Sequence, residues 1–125
     1  MPDPTATGAT APQPAVLASV RVNSAGQGLV VLHVSGELDT TSAQELALPL
    51  QDQLTEANKT VVVDLGGVRF LGSAGLDVLV REDRRARAAG GTLRVVTGNR
   101  SVARTITLTG LDDVLTILPT LADLG

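Results

Sequence analysis

The stretch TVVVDLGGVRFLGSAGLDVLVREDRRARAAGG, residues 60–91, decides the fold. Thr60 to Leu65 is a short, nearly unbroken apolar run. Such a run suits a strand buried on both faces, as in a parallel sheet. Gly66 to Gly72 interrupts the pattern and is expected to be a loop. From Ser73 to Ala89 the apolar residues recur at helical spacing, and Gly90-Gly91 ends that helix. Residues 60–91 therefore read as strand, loop and helix, the first part of a βαβ unit.

Toward the C-terminus the alternation continues. Thr92 to Thr97 reads as a strand, Gly98-Asn99 as a turn, and Ser101 to Thr109 as a helix closed by Gly110. Val114 to Leu118 reads as a last strand, and Pro119 to Leu124 as one or two helical turns. Toward the N-terminus, Ser42 to Ala57 is expected to be helical. Ser42 and Glu45 have capping-box spacing, and Leu46, Leu50 and Leu54 form an apolar stripe. Pro49 lies inside this helix and is expected to kink or split it.

Gly36 to Asp39 (GELD) ends a strand over Leu29 to Ser35, with Val30, Leu32 and Val34 on one face and Leu29, Val31 and His33 on the other. Val16 to Val22, joined to it by the turn residues Asn23 to Gly28, completes a hairpin. Residues 1–15, rich in Pro, Thr and Ala without periodicity, are expected to be a disordered tail before one domain over 16–125. The order β-β-α-β-α-β-α-β-α predicts an α/β domain with a mixed, mostly parallel sheet and an antiparallel N-terminal strand. Sites in such sheets gather beyond the C-terminal strand ends. There Gly36–Thr40 meets Leu71–Leu76.

Composition narrows the chemistry. The chain has 125 residues, a formal charge of −3, no cysteine, no Trp or Tyr, and one Phe. Cysteine chemistry is excluded, and base stacking is disfavoured. Arg81, Arg84, Arg85 and Arg87 cluster, but Glu82 and Asp83 lie among them, so no phosphate-tracking stripe and no nucleic-acid partner are expected. No apolar run approaches the roughly 20 residues of a membrane span, and no secretory signal is visible. Neither a membrane association nor a cofactor is expected, and the cytoplasm is the expected location.

Ser73 stands where the loop gives way to the helix, flanked by Gly72, Ala74 and Gly75. As a plain structural residue it would cap the helix. Its small neighbours also leave room for another protein's active site. A phosphate there would sit at the positive end of the helix dipole. A nucleophile elbow needs G-x-S-x-G, but Leu71 holds the first glycine position, and the one histidine, His33, lies in a strand. His33 reads as a half-buried sheet residue, since no second His or Cys joins it. Asp39 reads as a turn residue, and Asp64 as an acceptor for loop amides.

Two stretches, GELD at 36–39 and VVVDLGGVRFLGSAGLDVLV at 61–80, resemble the STAS-domain anti-sigma factor antagonists of bacteria. Thr109-Gly110-Leu111-Asp112 is similar to the family's C-terminal part. The resemblance covers the chain from Val16 onward. It implies a protein-binding switch rather than an enzyme. The unphosphorylated antagonist binds an anti-sigma factor that is also a serine kinase, which frees a sigma factor. That kinase, with its own bound ATP, phosphorylates the antagonist's serine and the complex separates, and a phosphatase reverses the step.

Ser73 matches the phosphoacceptor, and Asp39 the acidic residue beside it. Gly75 and Leu76 match the residues that follow. Many members carry Asp before the serine, where this chain has Gly72. The alternatives are a constitutive docking module in which Ser73 is only a helix cap and, more distantly, a serine hydrolase. The expected partner surface comprises Asp39, Thr40, Gly72, Ala74, Gly75 and Leu76. On the following helix, Leu76, Leu79, Val80 and Ala86 form the expected inner stripe, with Asp83 and Arg87 paired at its border. Val78 and Arg81 fall on the opposite, outer face and are added to the partner surface.

Overall fold

The computed structural model describes residues 18–124. The expected N-terminal tail, 1–15, lies outside them. Five strands form one sheet in the order β1-β2-β3-β4-β5: Ala18–Gly26, Leu29–Leu38, Thr60–Leu71, Thr92–Val96 and Thr116–Leu118. β1 pairs antiparallel with β2, and the other neighbours pair parallel. The helices α1 (Gln44–Gln53), α2 (Ser73–Ala88) and α3 (Arg100–Thr109) connect successive parallel strands. Short 3-10 turns at Leu111–Asp113 and Leu121–Leu124 flank β5.

The hairpin is tighter than the expected six-residue turn. β1 continues to Gly26, and Gln27 and Gly28 alone make the connection, with φ of 57° and 77°. Positive φ at both central residues is what a two-residue type I′ turn requires. A register shift between Ser24 and Gly26 absorbs Ala25.

All three helices lie on one face. Val30, Leu32, Val34, Val61, Val63, Leu65, Leu93 and Val95 of the sheet share a core with Leu46 and Leu50 of α1, Leu79 and Ala86 of α2, and Val102 and Ile106 of α3. The other face carries a small apolar group, Val31, Val62 and Val96, with Leu29 and Leu118 beside it. The alternation expected for β2 is therefore realised on both sides.

The expected loop at Gly66 to Gly72 is mostly strand. His33 pairs with Asp64 and Ser35 with Gly67, then Gly36 with Val68 and Glu37 with Phe70. Each step inserts one extra residue into β3. The inward positions thus run Val61, Val63, Leu65, Val68 and Leu71, all buried. Two bulges break the period of two while the strand goes on. Gly67 makes the first possible, because a Cβ there would stand 2.9 Å from the Ser35 Cβ.

α1 also departs from expectation. Its N-cap is Ala43, with no side-chain cap, and it ends at Gln53 rather than Ala57. It continues through Pro49 without splitting. The carbonyl that loses its amide partner to Pro49 belongs to Glu45, an exposed residue of the first turn. α3 is capped by Asn99, whose Oδ1 accepts from the Val102 N–H at 2.8 Å. The Asn99 Nδ2 donates to Val68 C=O at 3.0 Å, which ties α3 to the bulged part of β3.

Candidate functional site

The long β3 sets the site. Leu38 and Leu71 are register partners at the C-terminal ends of adjacent parallel strands. The Gly72 N–H donates to Leu38 C=O at 2.8 Å and closes the pair. One residue beyond Leu38 is Asp39, and two beyond Leu71 is Ser73. Asp39, Thr40, Phe70, Gly72, Ser73 and Ala74 line a shallow cavity of about 260 Å³. Five expected surface residues are thereby brought together.

On the Asp39 side a tight turn is anchored by Ser42. Asp39 Oδ1 accepts from the N–H of Thr41 at 2.9 Å and of Ser42 at 3.1 Å. Ser42, fully buried, accepts from the Asp39 N–H at 2.9 Å, and its hydroxyl donates to Glu37 C=O. The expected capping box with Glu45 is absent because that hydroxyl is engaged behind the helix, not at its start. Hydrogen bonding, first of all from the Ser42 N–H, holds the Asp39 carboxyl below the ordinary Asp range, with desolvation, the next influence in size, opposing it. Asp39 is thus ionised and fixed beside Ser73.

On the other side Ser73 is the first residue of α2, and Gly72 is the N-cap. No side-chain hydrogen bond caps α2, so the expected cap role of Ser73 is overturned. The physical reason is position: a cap needs the extended backbone that Gly72 adopts, at φ −88° and ψ 177°. Ser73 is exposed, and its hydroxyl has no protein partner among the described residues. The first N–H to bond within α2 is that of Leu76, to Gly72 C=O at 3.1 Å. The N–H groups of Ser73, Ala74 and Gly75 therefore have no intrahelical acceptor.

Three expected surface residues are instead buried. Gly75 and Leu76 turn inward, and a Cβ on Gly75 would meet Leu71 Cδ1 at 2.8 Å and Leu38 Cβ at 2.9 Å. Val78 is 2% exposed and belongs to the core. Buried positions 75, 76, 78, 79, 82, 83 and 86 span an arc of roughly 160° at 100° per residue. The arc is wide because α2 packs on both the sheet and α1, where Glu82, 3% exposed, accepts from Gln51 Nε2 at 2.9 Å. Val80, expected inside, is only half-buried. The Asp83–Arg87 pair forms as expected, at 3.0 Å. Arg81 is exposed but outside the cavity lining.

Phe70, absent from the expected surface, lines the cavity with half its area exposed. Its signal in the sequence is its singularity, masked by the glycines at 66, 67 and 72 that give its surroundings the pattern of a loop. His33 pairs through Nδ1 with Asp64 Oδ2 at 2.8 Å, while Asp64 Oδ1 accepts the Gly66 N–H at 2.9 Å. His33 lies on the sheet face away from the helices, in register with Asp64, and takes no part in the Ser73 cavity. Among the described residues no helix is long and apolar enough to cross a membrane.

Known proteins share the fold and much of the sequence. Residues 21–124 match the STAS domain. The chain is 36% identical over 94 residues to the anti-sigma-F factor antagonist RsfA of Mycobacterium tuberculosis, which covers 73% of either chain. It is 31% identical to an anti-sigma factor antagonist of Mycobacterium paratuberculosis whose crystal structure superposes with a TM-score of 0.77, covering 87% of this chain and 92% of that one. A Thermotoga maritima structure described as a putative anti-sigma factor antagonist shares the fold at a TM-score of 0.74 and 24% identity, covering 84% and 90%. With β2 and β3 carrying their turn and serine to one cavity, and with this likeness over most of its length, the chain belongs to the STAS-domain family of anti-sigma factor antagonists.

Proposed function

We propose that the unphosphorylated chain binds an anti-sigma factor that is also an ATP-dependent serine kinase, and that phosphorylation of Ser73 ends the binding. The observation that carries this function is the state of Ser73: exposed, without a hydrogen-bond partner among the described residues, and first in a 16-residue helix beside an ionised Asp39. Asp39, Thr40, Gly72 and Ala74 make the contact surface around it, and Arg81 extends that surface along α2. Binding withdraws the anti-sigma factor from its sigma factor.

In the transfer step Ser73 Oγ attacks the γ-phosphorus of ATP held by the partner. The Oγ–P bond forms, the bond to the bridging oxygen of the leaving diphosphate breaks, and ADP departs. The hydroxyl proton passes to a base on the kinase. The product carries about −1.5 to −2 charges at neutral pH. The N–H groups of Ser73, Ala74 and Gly75 and the α2 dipole stabilise it within this chain. Asp39 opposes it across the cavity, and the partner surface, complementary to a neutral hydroxyl, now meets a dianion. Each 1.4 kcal/mol of that penalty weakens the complex tenfold. A phosphatase restores the hydroxyl. The chain is then a substrate of its kinase rather than a catalyst, needs no cofactor of its own, and works in the cytoplasm.

The test is mass spectrometry after incubation with ATP and each ATP-binding anti-sigma factor of the native genome. Phosphate on Ser73, with loss of the complex in gel filtration, is the expected outcome. A stable complex with no phosphate on Ser73 would replace the switch with a constitutive docking module.

A further inference from the structure

Phe70 is the chain's one aromatic residue, and it is 53% exposed at the rim of the Ser73 cavity. It is held there by the second bulge of β3, which pairs Phe70 with Glu37. Arg69 lies on the solvent side, with Nη2 2.7 Å from Glu37 Oε2. The ring lies over Gly72. A Cβ at position 72 would come within 3.0 Å of Phe70 Cε2 and 3.3 Å of Cζ. The backbone of Gly72 is extended, at φ −88°, so any residue could adopt it. It is the ring, not the chain conformation, that is served by glycine at 72.

We infer that Phe70 is the anchor and specificity determinant of the partner interface, and that Gly72 is glycine so that the ring can lie beside Ser73. This rests on the proposed function. The complementary feature on the anti-sigma factor is an apolar pocket next to its kinase site, sized for an aromatic ring. Large aromatic side chains that become fully desolvated at the centre of a contact carry much of its binding energy. A two-torsion ring, already braced over Gly72, loses little freedom when it docks.

The experiment measures affinity for the anti-sigma factor that retains the wild-type chain, using Phe70→Ala, Gly72→Asn and the double variant. Asn is a favoured N-cap, so Gly72→Asn preserves α2 while its Cβ crowds the ring at about 3.0 Å. Phe70→Ala is expected to weaken binding at least tenfold with an unchanged melting curve. Gly72→Asn is expected to weaken it too, and the double variant by less than the product of the single losses, because both act on one ring. In Phe70→Trp the indole is the sole Trp or Tyr of the chain, and its emission is expected to shift to the blue when the partner is added. If Phe70→Ala binds within twofold of wild type, if the losses multiply, or if the indole emission is unmoved, Phe70 is not the anchor while the proposed function stands. If the wild-type chain itself binds no such anti-sigma factor, the function and the anchor fall together.

Discussion

Ser42 carries more of the site than any residue in direct reach of a partner. Its hydroxyl joins the Glu37 carbonyl to the Asp39 amide from a fully buried position. Ser42→Ala leaves both groups unsatisfied and is expected to cost about 1–3 kcal/mol, read from denaturant midpoints. A loss under a few tenths would mean water replaces the hydroxyl. Asp39 yields a pH prediction. Its carboxyl is held below the ordinary value, first by the Ser42 N–H. The ionised form therefore stabilises the fold above the unfolded value of about 4, and this stabilisation is lost as pH falls through the lower folded value. Asp39→Asn keeps an oxygen acceptor without the charge, so its stability should decline less steeply than wild type's on the acid side of pH 4. Parallel acid limbs in urea titrations would remove the carboxylate from this role. Of these two residues the sequence showed the positions but not the partnership. Ser42 and Glu45 satisfied a capping pattern by spacing alone, and only the C-terminal extension of β2 reveals that the hydroxyl faces the other way.

At the scale of the element, α2 shows what periodicity can and cannot read. Its limits were legible: Gly72 precedes it, and Gly90, at φ +79°, follows its end. Its inward direction was legible too, since Leu76, Leu79 and Ala86 are buried with Asp83 beside them, but the width of the buried arc was not, because it also takes in Val78 and the charged Glu82. Glu82 pairs locally with Arg85 at 3.2 Å, but its burial also depends on Gln51 of α1, a contact beyond any local pattern. The C-terminal half of β3 does not show as a strand in the sequence for a related reason, since two one-residue bulges cancel the alternation by which a strand is known. The burial of Val78 separates two outcomes. Val78→Ala is expected to destabilise the fold by about 2 kcal/mol through its lost methyl groups and cavity, leaving affinity per folded molecule unchanged. Arg81→Gln leaves Glu82 its Arg85 and Gln51 contacts, so it should move stability by less than about 1 kcal/mol while weakening the partner complex. Chemical denaturation and calorimetric titration of both variants check this. Equal effects on binding would show that the outer face begins closer to Val78 than its burial allows. Gly75→Ala belongs here as well: its Cβ contacts at 2.8 and 2.9 Å predict overpacking worth roughly 1–3 kcal/mol.

For the whole molecule, the question is whether phosphorylation acts by reshaping the domain or by changing one patch of its surface. The arrangement favours the patch. Ser73 is exposed, its hydroxyl gives up no internal bond when modified, and α2 begins with three N–H groups ready for an anion. Behind it the sheet is held by buried Val and Leu, and α2 is fixed by Gly75 against Leu38 and Leu71. A phosphate can only shift a balance between states that exist, and its contacts at Ser73 lie outside this core. The phosphorylated chain is therefore expected to melt within a few degrees of the unmodified one, while its affinity for the anti-sigma factor falls by at least a hundredfold. Amide chemical shifts should move in Asp39 to Ser42 and Phe70 to Leu76, and remain still in β1, β4 and α3. Shifts spread through β4 and α3, or a melting change of ten degrees or more, would instead assign the switch to a rearranged fold. The division of labour would then be reversed, with the cavity beside Ser73 only the trigger and the sheet the element that the partner reads.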